Sequence, residues 1–323
     1  MPLHDLACPL RRHLLATTYR AGLATGLALA PPRLLAQPPA AMPQLIRHNM
    51  SDTDEPEPYR LQVLRLLLDR TRGSHGGYEL RTDLSSTTQS RALAQLRAGD
   101  IDVWASMCSR SRQDAGISLP ICLRRGVNGV RLPVVLAERR QEFEGLRHAL
   151  ALRTYRFGQV SHWPDARVLA GNGFKLEAVQ TLEAFPAMLK LRRFDIFLLA
   201  ADEAHAIADA YPELAVLDGW CLAYPSIYGF FVNTRLPALA DRLRAGWAQC
   251  LADGSFAALF EAHLGRQVQR AQLEKRLWFR LPNPDLPDGL PLQERGLWHP
   301  LVWQKLLAPL ARSTARQAPP ARG

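Results

Sequence analysis

The sequence predicts an α/β protein with two lobes, each a mostly parallel sheet flanked by helices, joined by two extended crossings. Three observations carry this. Apolar strand-like runs alternate with amphipathic helical stretches through two successive sets. The stretch Gln89 to Arg112 reads as one complete αβ unit: Ala92, Leu93 and Leu96 share a helical face, Gly99 stops the helix, and Ile101 to Ala105 form a short buried strand. The length of 323 residues accommodates two ordinary domains, with 47% hydrophobic and 22% charged residues in a globular balance.

In chain order, residues 1–36 read as a cleavable export signal. Arg11 and Arg12 form a basic start, Ala21 to Ala30 an apolar run, and Leu34 to Ala36 a small-residue cleavage site. The run is shorter than the ~20 residues a membrane span needs. Arg11 and Arg12 leave the general and twin-arginine export routes both open. Cys8 precedes the apolar run, which argues against a lipid anchor. The expected location is the periplasm. The formal charge of +10 includes Arg11, Arg12, Arg20, Arg33 and Asp5 of this leader, and the remainder stays basic. Its arginines are scattered and not interleaved with aromatics, so no nucleic-acid partner is expected. Cys108, Cys122, Cys221 and Cys250 form either two disulfides or four buried free thiols.

The first lobe is expected over residues 37–137. Gln44 to Asn49 reads as a strand, Tyr59 to Arg70 as a helix with Leu61, Leu64, Leu67 and Leu68 on one face, and Tyr78 to Arg81 as a second strand. The Gln89 to Arg112 unit follows, then Val130 to Ala137 as a fourth strand. The second lobe is expected over residues 138–225, with strands at Tyr155 to Val160, Leu176 to Gln180 and Phe194 to Ala200. Helices are expected at Trp163 to Leu169, Leu182 to Leu191 and Asp202 to Tyr211. Residues 226–270 return to the first lobe through helices at Pro237 to Leu251 and Phe256 to Leu264. Residues 271–323 form a proline-rich extended arm with a disordered basic tail from Arg312; Leu297 to Leu307 is an apolar segment suited to docking.

Several phrases, in order, carry a family resemblance. A helix ending at Gly99 runs into Ile101-Asp102, a strand and a Ser/Arg turn. Gly126 to Arg131, Trp163 to Asp165, Arg193 to Asp195, Tyr224 to Asn233 and Asp253 to Phe256 follow. The chain resembles a divergent branch of the type-2 periplasmic solute-binding proteins, the polar amino-acid-binding kind (extracellular solute-binding protein family 3), over roughly Gln44 to Gly265. The resemblance implies a periplasmic-binding-protein-like fold and a monomer. It also implies capture of a small polar, carboxylate-bearing ligand by lobe closure. Delivery would be to an inner-membrane ABC permease or, in the alternative, to a sensor kinase or other protein partner without transport. A hydrolase or lyase on the same scaffold is the further alternative.

In that family an arginine of the turn grips the ligand carboxylate. Arg112 is the best match in the turn Ala105 to Arg112, with Arg110 its competitor and Ser106 and Ser109 beside it. A guanidinium suits a bidentate carboxylate contact. Gln89 and Arg91, at the head of the preceding helix, complete the first-lobe set. From the second lobe come Ser161 and Trp163, at a helix entry that offers free N–H groups and an apolar ring. An acidic residue for the ligand's amino group comes from Asp195 or Glu203. The pair Asp202-Glu203 falls two positions later than the family's usual aspartate, which places amino-group recognition in doubt. Asp100 and Asp102 read as a surface and a structural carboxylate.

No catalytic residues, cofactor or metal site are predicted. Asp202 to His205 spells a helicase-type acidic box, but the chain has no Gly-x-x-x-x-Gly-Lys-(Ser/Thr) cradle. It also lacks His-Glu-x-x-His, Gly-x-Ser-x-Gly and Cys-x-x-Cys.

Overall fold

In the computed structural model of the chain the described residues are 43–50, 58–82 and 88–309. The expected export signal, Cys8 and the expected basic tail from Arg312 lie outside them.

Among the described residues twelve strands form three sheets. In chain order they are β1 (Gln44–His48), β2 (Tyr78–Thr82), β3 (Val103–Met107), β4 (Ile117–Leu119), β5 (Val130–Leu136) and β6 (Arg156–Val160), then β7 (Lys175–Val179), β8 (Ile196–Ala200), β9 (Leu214–Val216), β10 (Trp220–Ala223), β11 (Tyr228–Val232) and β12 (Leu277–Arg280). The first lobe carries the parallel pair β1-β2 and the sheet β3-β11-β4. The second carries a seven-stranded sheet in the order β12-β10-β5-β8-β6-β7, with β9 also on β5.

The expected parallel pairing holds for β1 with β2, β6 with β7 and β8, and β10 with β12. β5 and β11 run antiparallel to all their neighbours. These are the strands by which the chain enters a sheet from the other lobe, so each arrives from the opposite end. The stretch Val130 to Leu136, expected as a fourth strand beside the first three, instead sits in the seven-stranded sheet. Its continuous burial gives it two covered faces and two paired edges.

Two crossings join the lobes, through residues 120–129 and 224–227. They lie side by side: Tyr224 N–H donates to the Gly129 carbonyl at 3.0 Å, and Asn128 Nδ2 to Ser226 Oγ at 2.7 Å. Gly129 is required here, because a Cβ would stand 2.3 Å from the Tyr224 carbonyl oxygen. The helix Tyr59–Arg70 buries Leu61, Leu64, Leu67 and Leu68 as its spacing predicts, and packs on the helix Pro237–Ala252.

The proline-rich arm is extended, as its composition predicts, but it begins with β12 on the edge of the seven-stranded sheet. It then touches both lobes. Asn172 Nδ2 donates to the Pro282 carbonyl at 2.9 Å, while Asp285 accepts from Ser111 N–H at 3.1 Å and Ser111 Oγ at 2.8 Å. The segment from Leu297 docks with Trp298, Val302 and Leu306 buried, the indole lying where a Cβ on Gly126 would be 2.5 Å from the ring. Cys108, Cys122, Cys221 and Cys250 are buried free thiols. The described helices ended by the sequence at Leu191 and Tyr211 are shorter, Phe185–Lys190 and Ala204–Ala208.

Burial also sets a pH dependence. His48, at the end of β1, is fully buried, with Met50 N–H donating to its Nδ1 at 3.3 Å. Burial, reinforced by Arg65 and Arg60, pushes its pKa down to about 4. The folded state therefore binds fewer protons than the unfolded chain between about pH 4 and 6.5, so this contribution is complete above 6.5 and is lost as pH falls through that window. His299, lowered to about 4 by burial and Arg125, behaves alike. Urea denaturation at pH 7 and pH 5 should show the wild type losing on the order of 1–2 kcal/mol more than His48→Gln. An equal loss in both would refute the assignment.

Candidate functional site

The site lies where the turn after β3 faces the turn after β6. The apolar run Val103 to Met107 buries β3 completely, which fixes the turn that follows and with it Arg112. Arg112 is 6% exposed. It donates from Nη1 to Ser106 Oγ on β3 and from Nη2 to the His162 carbonyl of the second lobe at 3.0 Å. A guanidinium has five N–H donors, so these two bonds leave others for a further acceptor. Burial lowers its pKa from the ordinary arginine value, with Tyr228 and Asp165 acting against the shift.

Two cavities open beside this contact, with Trp163 and Pro164 bordering both. The first, about 260 Å³, lies between the helix Gln89–Ala98 and the turn at Ser161. Arg97, Arg112 and Arg167 line it with Ser90, Ser111 and Ser161. No carboxylate among the described residues lines it. His162 is also there; burial, then Arg112, lowers its pKa and favours the neutral ring.

The second, about 180 Å³, has Arg60, Arg124 and Arg131 facing Asp165 and Glu203. Its two lining carboxylates are matched, while Arg60 donates to the Met50 carbonyl at 3.1 Å from Nε and 2.6 Å from Nη2. Arg131 pairs with Asp165, and Tyr224 Oη donates to the same carboxylate while accepting from Arg131 Nε at 3.0 Å. Arg124 pairs with Asp202 and, at 3.1 Å, with Glu203. Burial pushes the Glu203 carboxyl up, but Arg124 and Arg131 outweigh it and hold the group below the usual carboxylate range.

Of the residues expected at the site, Arg112, Ser161 and Trp163 line the first cavity and Gln89, Trp163 and Glu203 the second. Ser106 is buried behind Arg112. Ser109 is buried with its Oγ 3.0 Å from Ser111 Oγ and lines neither cavity. Arg91 is exposed on the helix surface and lines neither. Asp195 stands at the amino end of β8, remote along the strand from Glu203. There it accepts from Arg139 Nη1 and Arg156 N–H, each at 2.9 Å. Arg110, the competitor of Arg112, turns to the arm and pairs with Asp288 at 2.8 Å. Asp102 is structural, held by Arg47, and Asp100 is exposed.

Sequence reasoning missed Arg97, Arg124, Arg131 and Arg167. Two had a local signal. Ser90, Leu93 and Arg97 sit at helical spacing on one face, and Arg131 interrupts an apolar strand, where a charge demands a partner. Among the described residues no His/Cys/Asp/Glu group could hold a metal ion, and no helix is long and apolar enough to cross a membrane.

No family model matches the chain, and no curated protein matches it. Solved structures do. An arginine-specific periplasmic binding protein of Salmonella typhimurium is 14% identical with a TM-score of 0.51, over 68% of this chain and 99% of that one. The GluR0 ligand-binding core of Nostoc punctiforme, solved with L-glutamate, is 12% identical with a TM-score of 0.51, over 68% and 99%. A periplasmic binding protein of an arginine transport system from Legionella pneumophila gives 12%, 0.51, 68% and 99%. At these identities the likeness establishes architecture, and the chain has the two-lobed α/β fold of the type-2 periplasmic solute-binding proteins.

Proposed function

We propose that this chain is an exported, monomeric, non-enzymatic solute-binding protein of the periplasm. Its cleft closes on a small polar ligand bearing a carboxylate, and the closed form engages an inner-membrane ABC permease. One lobe comprises the sheets β1-β2 and β3-β11-β4 with their helices, the other the seven-stranded sheet, and residues 1–36 are the export signal. The observation that carries the reading is the bond from Arg112 of one lobe to the His162 carbonyl of the other, at the border of a cavity. A carboxylate held there by Arg112 would contact both lobes together, so it favours the closed arrangement over any open one. The adjacent crossings are the natural hinge. The neighbours that share the fold are named as amino-acid or arginine binders, which supports a small-molecule ligand.

A thermal-shift screen of the full chain against amino acids, organic acids, polyamines and small sugars tests this. At 100 times its Kd a ligand specific for the native state adds about 2.7 kcal/mol of stability. A melting-temperature rise confined to carboxylate-bearing compounds is expected. A response only to polyamines or sugars would contradict it.

A further inference from the structure

The two cavities differ in how their charge is used, and the difference bears on what the cleft selects. Every lining carboxylate of the second cavity is already paired: Asp165 with Arg131, and Glu203 with Arg124. Asp202, behind Glu203, is paired with Arg124 as well. A ligand ammonium placed there would compete with two guanidinium groups that are already in contact. In the first cavity it would meet Arg97, Arg112 and Arg167 with no lining carboxylate among the described residues. Arg97 is engaged only through Nε, to the Asp114 carbonyl at 3.3 Å, and Arg167 has no ion pair among the described residues. The three arginines thus line one space together with Ser90, Ser111 and Ser161.

Resting on the solute-binding reading above, we infer that the first cavity selects a small organic dianion without an ammonium group. One anionic group sits on Arg112, and the second between Arg167 and Arg97. Discrimination against amino acids comes from an unpaired, repelled ammonium as much as from attraction for the second anion. Arg97 and Arg167 are exposed, so the second contact is solvent-screened and salt-sensitive, while the Arg112 contact is sheltered.

Calorimetric titration of the full chain with two matched pairs, succinate against L-aspartate and glutarate against L-glutamate, isolates the ammonium. Butyrate isolates the second anion. One or both dicarboxylates should bind at least about tenfold tighter than the matching amino acid and than butyrate. Arg167→Gln, a change at an exposed side chain, should lower dicarboxylate affinity about tenfold and leave butyrate within about twofold; Arg167→Lys should keep most of the affinity. Amino acids binding as tightly as their dicarboxylates, or Arg167→Gln leaving the dicarboxylate unchanged, would overturn the inference while the solute-binding reading stands. Absence of binding by all five compounds would overturn the inference alone, and a thermal-shift screen without any carboxylate response would overturn both.

Discussion

Replacing Asp165 by Ala should lower the stability of this protein by about 3 kcal/mol or more, and its melting temperature by roughly 10 °C. Asp165 is 3% exposed and Arg131 5%. Burial penalises the Arg131 charge, and Asp165, Tyr224 and Glu203 together hold the group cationic. Removing Asp165 leaves that guanidinium with the Tyr224 oxygen and, at 3.9 Å, Glu203. Neither replaces a contacting carboxylate, so the desolvation cost stays largely unmet. The loss should be specific to breaking the pair. The double change Arg131→Met, Asp165→Leu removes both charges, and should recover most of the stability lost by Asp165→Ala. Chemical denaturation of the three proteins decides it. A loss below 1 kcal/mol for Asp165→Ala would mean the pair is solvated and the second cavity is not the closed charge network described.

Replacing Arg112 by Gln should weaken binding of a carboxylate ligand between about 30-fold and about 3,000-fold, the range for truncating one partner of a sheltered charge pair. Arg112→Lys should fall between, because an ammonium keeps the charge but not the fork that meets two carboxylate oxygens. The same change bears on the closed arrangement itself, since Gln cannot reproduce both donations, to Ser106 Oγ and to the His162 carbonyl.

The elements that position Arg112 were legible in the sequence for local reasons. Leu93 and Leu96 set the helix face, Gly99 takes the left-handed conformation at φ 90° that ends the helix, and the buried run after it makes the strand. The extended arm was legible from its prolines. Partnership was not. Nothing in Val130 to Leu136 says which sheet it enters, because continuous burial is common to any central strand. Glu203 reads locally as a free acid able to take an amino group. Its neutralisation comes from Arg124 and Arg131, whose contact with it is made only by the fold. Asp195 was read from a phrase three residues long, Arg193 to Asp195. Its place at the amino end of β8, facing Arg139, follows from strand direction, which a phrase does not encode. The four cysteines show the same limit from the other side: spacing left disulfides open, and packing leaves each thiol buried and unpaired.

The proposed function turns on one contact, a ligand carboxylate held by Arg112 at the cleft between the lobes. Its most direct measurement is an equilibrium titration, by calorimetry, of the full chain and of Arg112→Gln with the carboxylate giving the largest thermal shift, both proteins being checked as folded by circular dichroism. Saturable one-site binding that falls at least 30-fold in Arg112→Gln is expected. Equal affinity in the two folded proteins would contradict it.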